Sequence, residues 1–172
     1  MPGEQVVSYY EALIERMPKT GLAAARAVGL ISRIVALVES FDSLIARASC
    51  VAERSRGCRP SEDKPCSTGC ASIVVAPNAI WKYHSSAFSA VALDSTLRIS
   101  TKNAGLVIER GRAVVELPSG DSKAKIEIDL SSVDGIMREY YTMMYALKAV
   151  EAPLRKAAGN LARCSKEKQL AC

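Results

Sequence analysis

The alternation of apolar and polar positions is strictest between Leu97 and Leu130. Ala124, Ile126, Ile128 and Leu130 fall on one side of an extended chain, and Lys123, Lys125, Glu127 and Asp129 on the other. That is the period of two expected of a strand covered on one face. Ala113, Val115 and Leu117 alternate with Arg112, Val114 and Glu116, and Leu106 and Ile108 alternate with Val107 and Glu109. Arg110-Gly111 suits a two-residue hairpin, and Pro118-Ser119-Gly120-Asp121 a tight turn. The stretch predicts an antiparallel meander of about four strands with one apolar and one mostly charged face.

Upstream, the period changes to that of helices. Val6, Val7, Tyr10, Leu13, Ile14 and Met17 predict a short helix from Glu4 to Met17, ended by Pro18. A long helix follows from about Gly21 to Arg54, capped by Thr20. Ile31, Ile34, Val38, Phe41, Ile45 and Ala48 form one apolar row, and Ala23, Leu30, Leu37, Leu44 and Val51 a second, so this helix needs two partners. Ala71–Ala76 is a short apolar strand candidate; if Ile80–His84 is extended, Trp81 and Tyr83 share one face and Lys82 and His84 the other, whereas Ser85–Val91 fits strand or helix. At the C-terminal end Ser131 and Asp134 resemble a capping box. The helix after them should run to about Arg163, with Pro153 kinking or ending it. Met143, Leu147, Val150, Leu154, Ala157 and Leu161 form a zipper-like seam, a candidate oligomerising surface.

The expected fold is therefore α+β, with two long helices and a short N-terminal helix packed on the meander. One domain spans residues 1–172: a helical part over 1–54, a cysteine-containing loop over 55–70, a β part over 71–130 and a C-terminal helix over 131–163.

Composition narrows the class. Apolar residues make up 49% of the chain and charged residues 24%, ordinary for a globular protein. No apolar run reaches the roughly 20 residues of a bilayer span, and the N-terminus has no signal-peptide pattern. The expectation is a cytoplasmic protein with no membrane partner. The net charge of +5 comes mainly from residues 131–172, where 7 Lys/Arg face 4 Asp/Glu. That excess fits a modest polyanion site or a solvated helix face.

The six cysteines lie at Cys50, Cys58, Cys66, Cys70, Cys164 and Cys172. There is no CxxC pair and only one histidine, His84, so disulfides or buried thiols fit better than zinc. Six cysteines allow 15 pairings, and the spacing does not choose among them. No nucleophile elbow, phosphate loop or zinc-protease motif occurs, and the expectation is a non-enzymatic protein without metal or cofactor.

The binding candidates are aromatics interleaved with cations. Trp81, Tyr83 and Phe88 could stack unpaired bases, while Lys82, Arg98, Lys102, Arg110, Arg112, Lys123 and Lys125 could line the backbone path. The alternative for Trp81 is a core anchor. Tyr140, Tyr141 and Tyr145, with Met143 and Met144, read as sheet packing, or else as a subunit interface or base groove.

In element order the chain resembles the ThermoDBP group of archaeal single-stranded-DNA-binding proteins: a helical N-terminus, a four-strand stretch at Leu97–Leu130, and a heptad helix at Met143–Leu161. Cysteine richness inside cells suits a hyperthermophile. The resemblance implies single-stranded DNA, or RNA, as partner, bound without sequence preference by a homo-oligomer associating through its long helices. A second resemblance, to the small subunit of archaeal CRISPR complexes, implies a non-enzymatic scaffold or assembly subunit.

Overall fold

The computed structural model describes residues 3–56, 66–67, 72–75, 81–85, 88–93 and 95–172. Two helices, α1 (Glu4–Arg16) and α2 (Leu22–Arg56), precede an unbroken series of strands. These are β1 (Cys66–Ser67), β2 (Ser72–Val75), β3 (Trp81–His84), β4 (Phe88–Leu93), β5 (Thr96–Thr101), β6 (Gly105–Glu109), β7 (Arg112–Ser119) and β8 (Ser122–Asp129). Two further helices follow, α3 (Val133–Arg138) and α4 (Tyr140–Glu167). The class is α+β, as the periodicity indicated.

Every strand pairs antiparallel with its neighbour in sequence, giving one sheet in the order β1 to β8. The meander is thus about twice the width expected from Leu97–Leu130. Of the ambiguous run Ser85–Val91, Phe88–Val91 belong to β4, where Ala90 and Ala92 face the core and Ser89 and Val91 face outward. The small side chains there fit strand and helix alike, which erased the strand signal.

One sheet face forms the core. The inward rows read across the strands as Trp81, Ala92, Leu97, Ile108, Ala113 and Ile128, and as Tyr83, Ala90, Ile99, Leu106, Val115 and Ile126. α4 packs on β5, β6 and β7, α2 packs on α4, and α1 on α2. Both apolar rows of α2 are used: Ile31, Ile34, Phe41 and Ile45 are fully buried, and Leu30, Leu37 and Leu44 nearly so. Each such side chain contributes roughly 1.5–3 kcal/mol on leaving water. Ala23, the first member of the second row, is exposed instead.

Several local expectations need correction. The α2 helix starts after Gly21, whose carbonyl accepts from the N–H of Ala25 at 3.1 Å, so Thr20 lies outside it. Ser132 rather than Ser131 caps α3, its Oγ accepting from the N–H of Gly135 at 3.0 Å. Ser131 instead donates N–H and O–H to Asp129. The C-terminal helix breaks at Glu139 and then runs through Pro153 to Glu167. The zipper-like seam, Met143 to Leu161, is buried within a single chain. The chain's own sheet and α2 fill it, so it offers nothing to a second copy.

A disulfide joins Cys50 near the end of α2 to Cys172, with a Cα–Cα distance of 5.9 Å. Cys164 is disulfide-bonded as well. The cysteine-loop positions Cys58 and Cys70 lie outside the described residues, as do most of residues 57–71. Among the described residues no helix is long and apolar enough to cross a membrane, and no group of three metal-ligating side chains converges.

Candidate nucleic-acid interface

The aromatic candidates on β3 and β4 point into the core. Tyr83 and Phe88 are 2% and 3% exposed and stack on each other, ring centroids 5.3 Å apart. Burial pushes the Tyr83 phenol above its ordinary pKa. Their rings are satisfied by one another and by core neighbours, so neither presents a face to an external base. Trp81 shares their side of the sheet and is half-buried against the core. The period of two places Trp81 and Tyr83 together correctly, but not on the wet side.

The cations of the meander separate into two groups. Lys82, Arg98, Arg112, Lys123 and Lys125 share the outward face, while Lys102 and Arg110 sit in the turns at opposite ends of β6. Arg110 is held by Gln5 of α1. The outward face also carries Glu109, Glu116, Glu127 and Asp129. Arg112 pairs with Glu109 at 3.5 Å and Glu127 at 3.4 Å. Five cations against four carboxylates make a mixed surface rather than a positive channel.

The outward side of α4 is different. Its buried residues, among them Met143, Leu147, Val150, Leu154 and Leu161, define one face of the helix. At 100° per residue the opposite face carries Tyr141, Tyr145, Lys148, Arg155, Lys156 and Arg163. Lys166 continues the line. Tyr141 and Tyr145 are 78% and 54% exposed, the two large aromatics that the fold leaves open. One exposed carboxylate, Glu167, stands at the C-terminal end of the stripe, beside Lys166 and one turn from Arg163. Glu151, in the middle of the helix, turns aside to α2 and accepts from Arg33 at 2.7 Å and 3.1 Å. That paired, half-buried bridge keeps a negative charge from opposing the stripe.

Beside the stripe, α2 and α4 enclose a groove of about 320 Å³. Arg33, Ala36, Ser40 and Arg155 stand on its walls, with Leu37 and Leu154 beneath. Small residues on α2 leave that space because Ala and Ser do not fill the gap between two helix surfaces. The C-terminal charge excess of the sequence pointed to this region. The tyrosine pair is also visible in the sequence, where it stands beside Tyr140 and Met144, which do pack inward. The distinguishing signal is spacing: Tyr141 and Tyr145 fall off both apolar rows of the helix.

Comparison with protein-family models, curated proteins and solved structures finds no match to the chain. The site therefore rests on its own geometry.

Proposed function

We propose that the protein binds single-stranded nucleic acid without sequence preference, along the outward face of α4, and carries out no catalysis. The observation that supports this most is the line of five cations on one helix face, headed by two exposed tyrosines and carrying a single carboxylate, Glu167, at its far end. A helix of 28 residues is about 42 Å long, enough to follow several nucleotides. Phosphates meet Lys148, Arg155, Lys156, Arg163 and Lys166 in turn. Unpaired bases expose flat faces that duplex DNA hides, and Tyr141 and Tyr145 offer rings for them to stack on. The groove between α2 and α4 lies where a base turned away from the backbone would enter.

This reading keeps the ligand class suggested by the sequence and moves it from the sheet to the helix. Disulfides inside a cytoplasmic, single-strand-binding protein fit a hyperthermophilic source. The test is a fluorescence titration of labelled single-stranded and duplex oligonucleotides at two salt concentrations. Tighter binding to the single strand, weakened by salt, is expected. Equal affinity for duplex, or no binding at micromolar protein in low salt, contradicts the proposal.

A further inference from the structure

The sheet face turned away from α4 has a distribution of side chains that matches itself. Across hydrogen-bonded partners its central row reads Lys82, Val91, Arg98, Val107, Val114 and Glu127, from β3 to β8. Leu93 adds an apolar side chain, 42% exposed, on β4. On the outward positions of β3 to β5 the charges are Lys82 and Arg98, with no carboxylate. On those of β6 to β8 four carboxylates stand against three cations. Among the described residues neither Lys82 nor Arg98 has an ion-pair partner.

We infer that this face is the contact between two copies of the chain, related by a two-fold axis running along the strands between β5 and β6. Such an axis lays β3 over the partner's β8, β4 over its β7 and β5 over its β6. Lys82 of one copy then meets Glu127 of the other, and Val91 meets Val114. Arg98 lies over Val107, which is already buried in its own chain at 5% exposure, and turns its guanidinium toward the other copy's Glu116. Each contact occurs twice, as a two-fold interface requires. Apolar meets apolar at Val91 and Val114 on either side of the axis, and opposite charges meet at the rim, as at other interfaces.

The area is sufficient. Six strands about 4.8 Å apart and about 17 Å long present roughly 500 Å² of projected surface. Side-chain relief brings the accessible area toward the ~800 Å² per partner of a standard stable interface. Two sheets packed about 10 Å apart with nearly aligned strands are a common arrangement. The dimer leaves both α4 stripes facing outward on opposite sides, so it neither needs nor blocks the proposed ligand.

Sedimentation velocity on the full chain across the micromolar range tests the contact. The wild type should sediment as a dimer. Lys82→Glu should raise the dissociation constant at least about tenfold, and the double variant Lys82→Glu/Glu127→Lys should restore it. Val91→Asp should also dissociate the dimer, with circular dichroism unchanged in every variant. A wild type that stays monomeric overturns the inference and gives this face to another occupant. A dimer indifferent to Lys82→Glu and Val91→Asp overturns it as well.

Discussion

The carboxylate of Asp42, in the middle of α2, accepts the backbone N–H of Gly3 at 2.9 and 3.1 Å through its two oxygens. A residue 39 positions away thus caps the first turn of α1, for which the sequence supplies no side-chain cap. The same approach leaves no room at Gly3, where an added Cβ would run into Val38 and Asp42. Asp42 is 8% exposed, and burial raises its pKa above the ordinary carboxylate value.

A raised folded-state pKa means that the native state holds a proton the unfolded chain releases. The associated stability is complete below the unfolded pKa of about 3.9 and declines as pH rises through the folded value. Urea unfolding of wild type and Asp42→Asn should therefore show a difference that shifts against the wild type as pH rises above about 4. Asp42→Ala, which leaves the Gly3 N–H without its partner, should lose about 1–3 kcal/mol below pH 4 and less as the pH rises. A pH-independent difference between wild type and the Asn variant would contradict the assignment.

Reduction of the Cys50–Cys172 bridge should weaken the fold substantially. It closes a loop of 122 residues in sequence separation, and restricting an unfolded chain over that length is worth about 3–5 kcal/mol. Cys172→Ser should lower the unfolding free energy by that order in denaturant titrations. Since Cys172 packs against the core, a loss well below 1 kcal/mol would mean that the tail contributes little to holding α2 and the end of α4 together.

The two sets of aromatics should behave in opposite ways. Phe88→Ala removes a ring stacked on Tyr83 in the core and should cost about 3–5 kcal/mol. Tyr145→Ala touches an exposed ring and should leave stability within about 0.5 kcal/mol. For affinity the order reverses. Losing one stacking platform should weaken single-strand binding by roughly 1–3 kcal/mol, about 5- to 150-fold. Thermal unfolding and titration of the two variants, side by side, check both halves.

These contrasts show what could be read from the chain. Strict alternation at Ala124–Leu130 and Leu106–Glu109 fixed the strands and their faces, because a period of two survives in any half-covered sheet. The rows of α2 were equally legible. What escaped was long-range: Asp42 capping Gly3, Cys50 meeting Cys172, and β4 joining the sheet through a short run of small residues. The candidate site moved for a related reason. Trp81, Tyr83 and Phe88 looked like a binding surface because aromatics next to lysines suit both a core edge and a stacking platform. Only the packing of the helices on one side of the sheet decides which face of β3 is covered.

Salt should report the number of phosphate contacts. Each contact to a single strand contributes about −0.7 to the slope of log K against log salt, so five cations predict a slope near −3.5. Arg163→Ala should reduce its magnitude by about 0.7. Fluorescence titrations over a salt series measure this directly. A slope close to zero would remove the electrostatic basis of the proposed interface.

The most direct measurement compares two charge-neutralised surfaces in one anisotropy assay with a labelled single-stranded oligonucleotide. Replacing Lys148, Arg155 and Arg163 on α4 by alanine should weaken binding at least about 100-fold at low salt. Replacing Lys82, Arg98 and Lys125 on the sheet should change it by no more than a few-fold. If the sheet variant loses binding and the α4 variant keeps it, the nucleic-acid interface is not on α4.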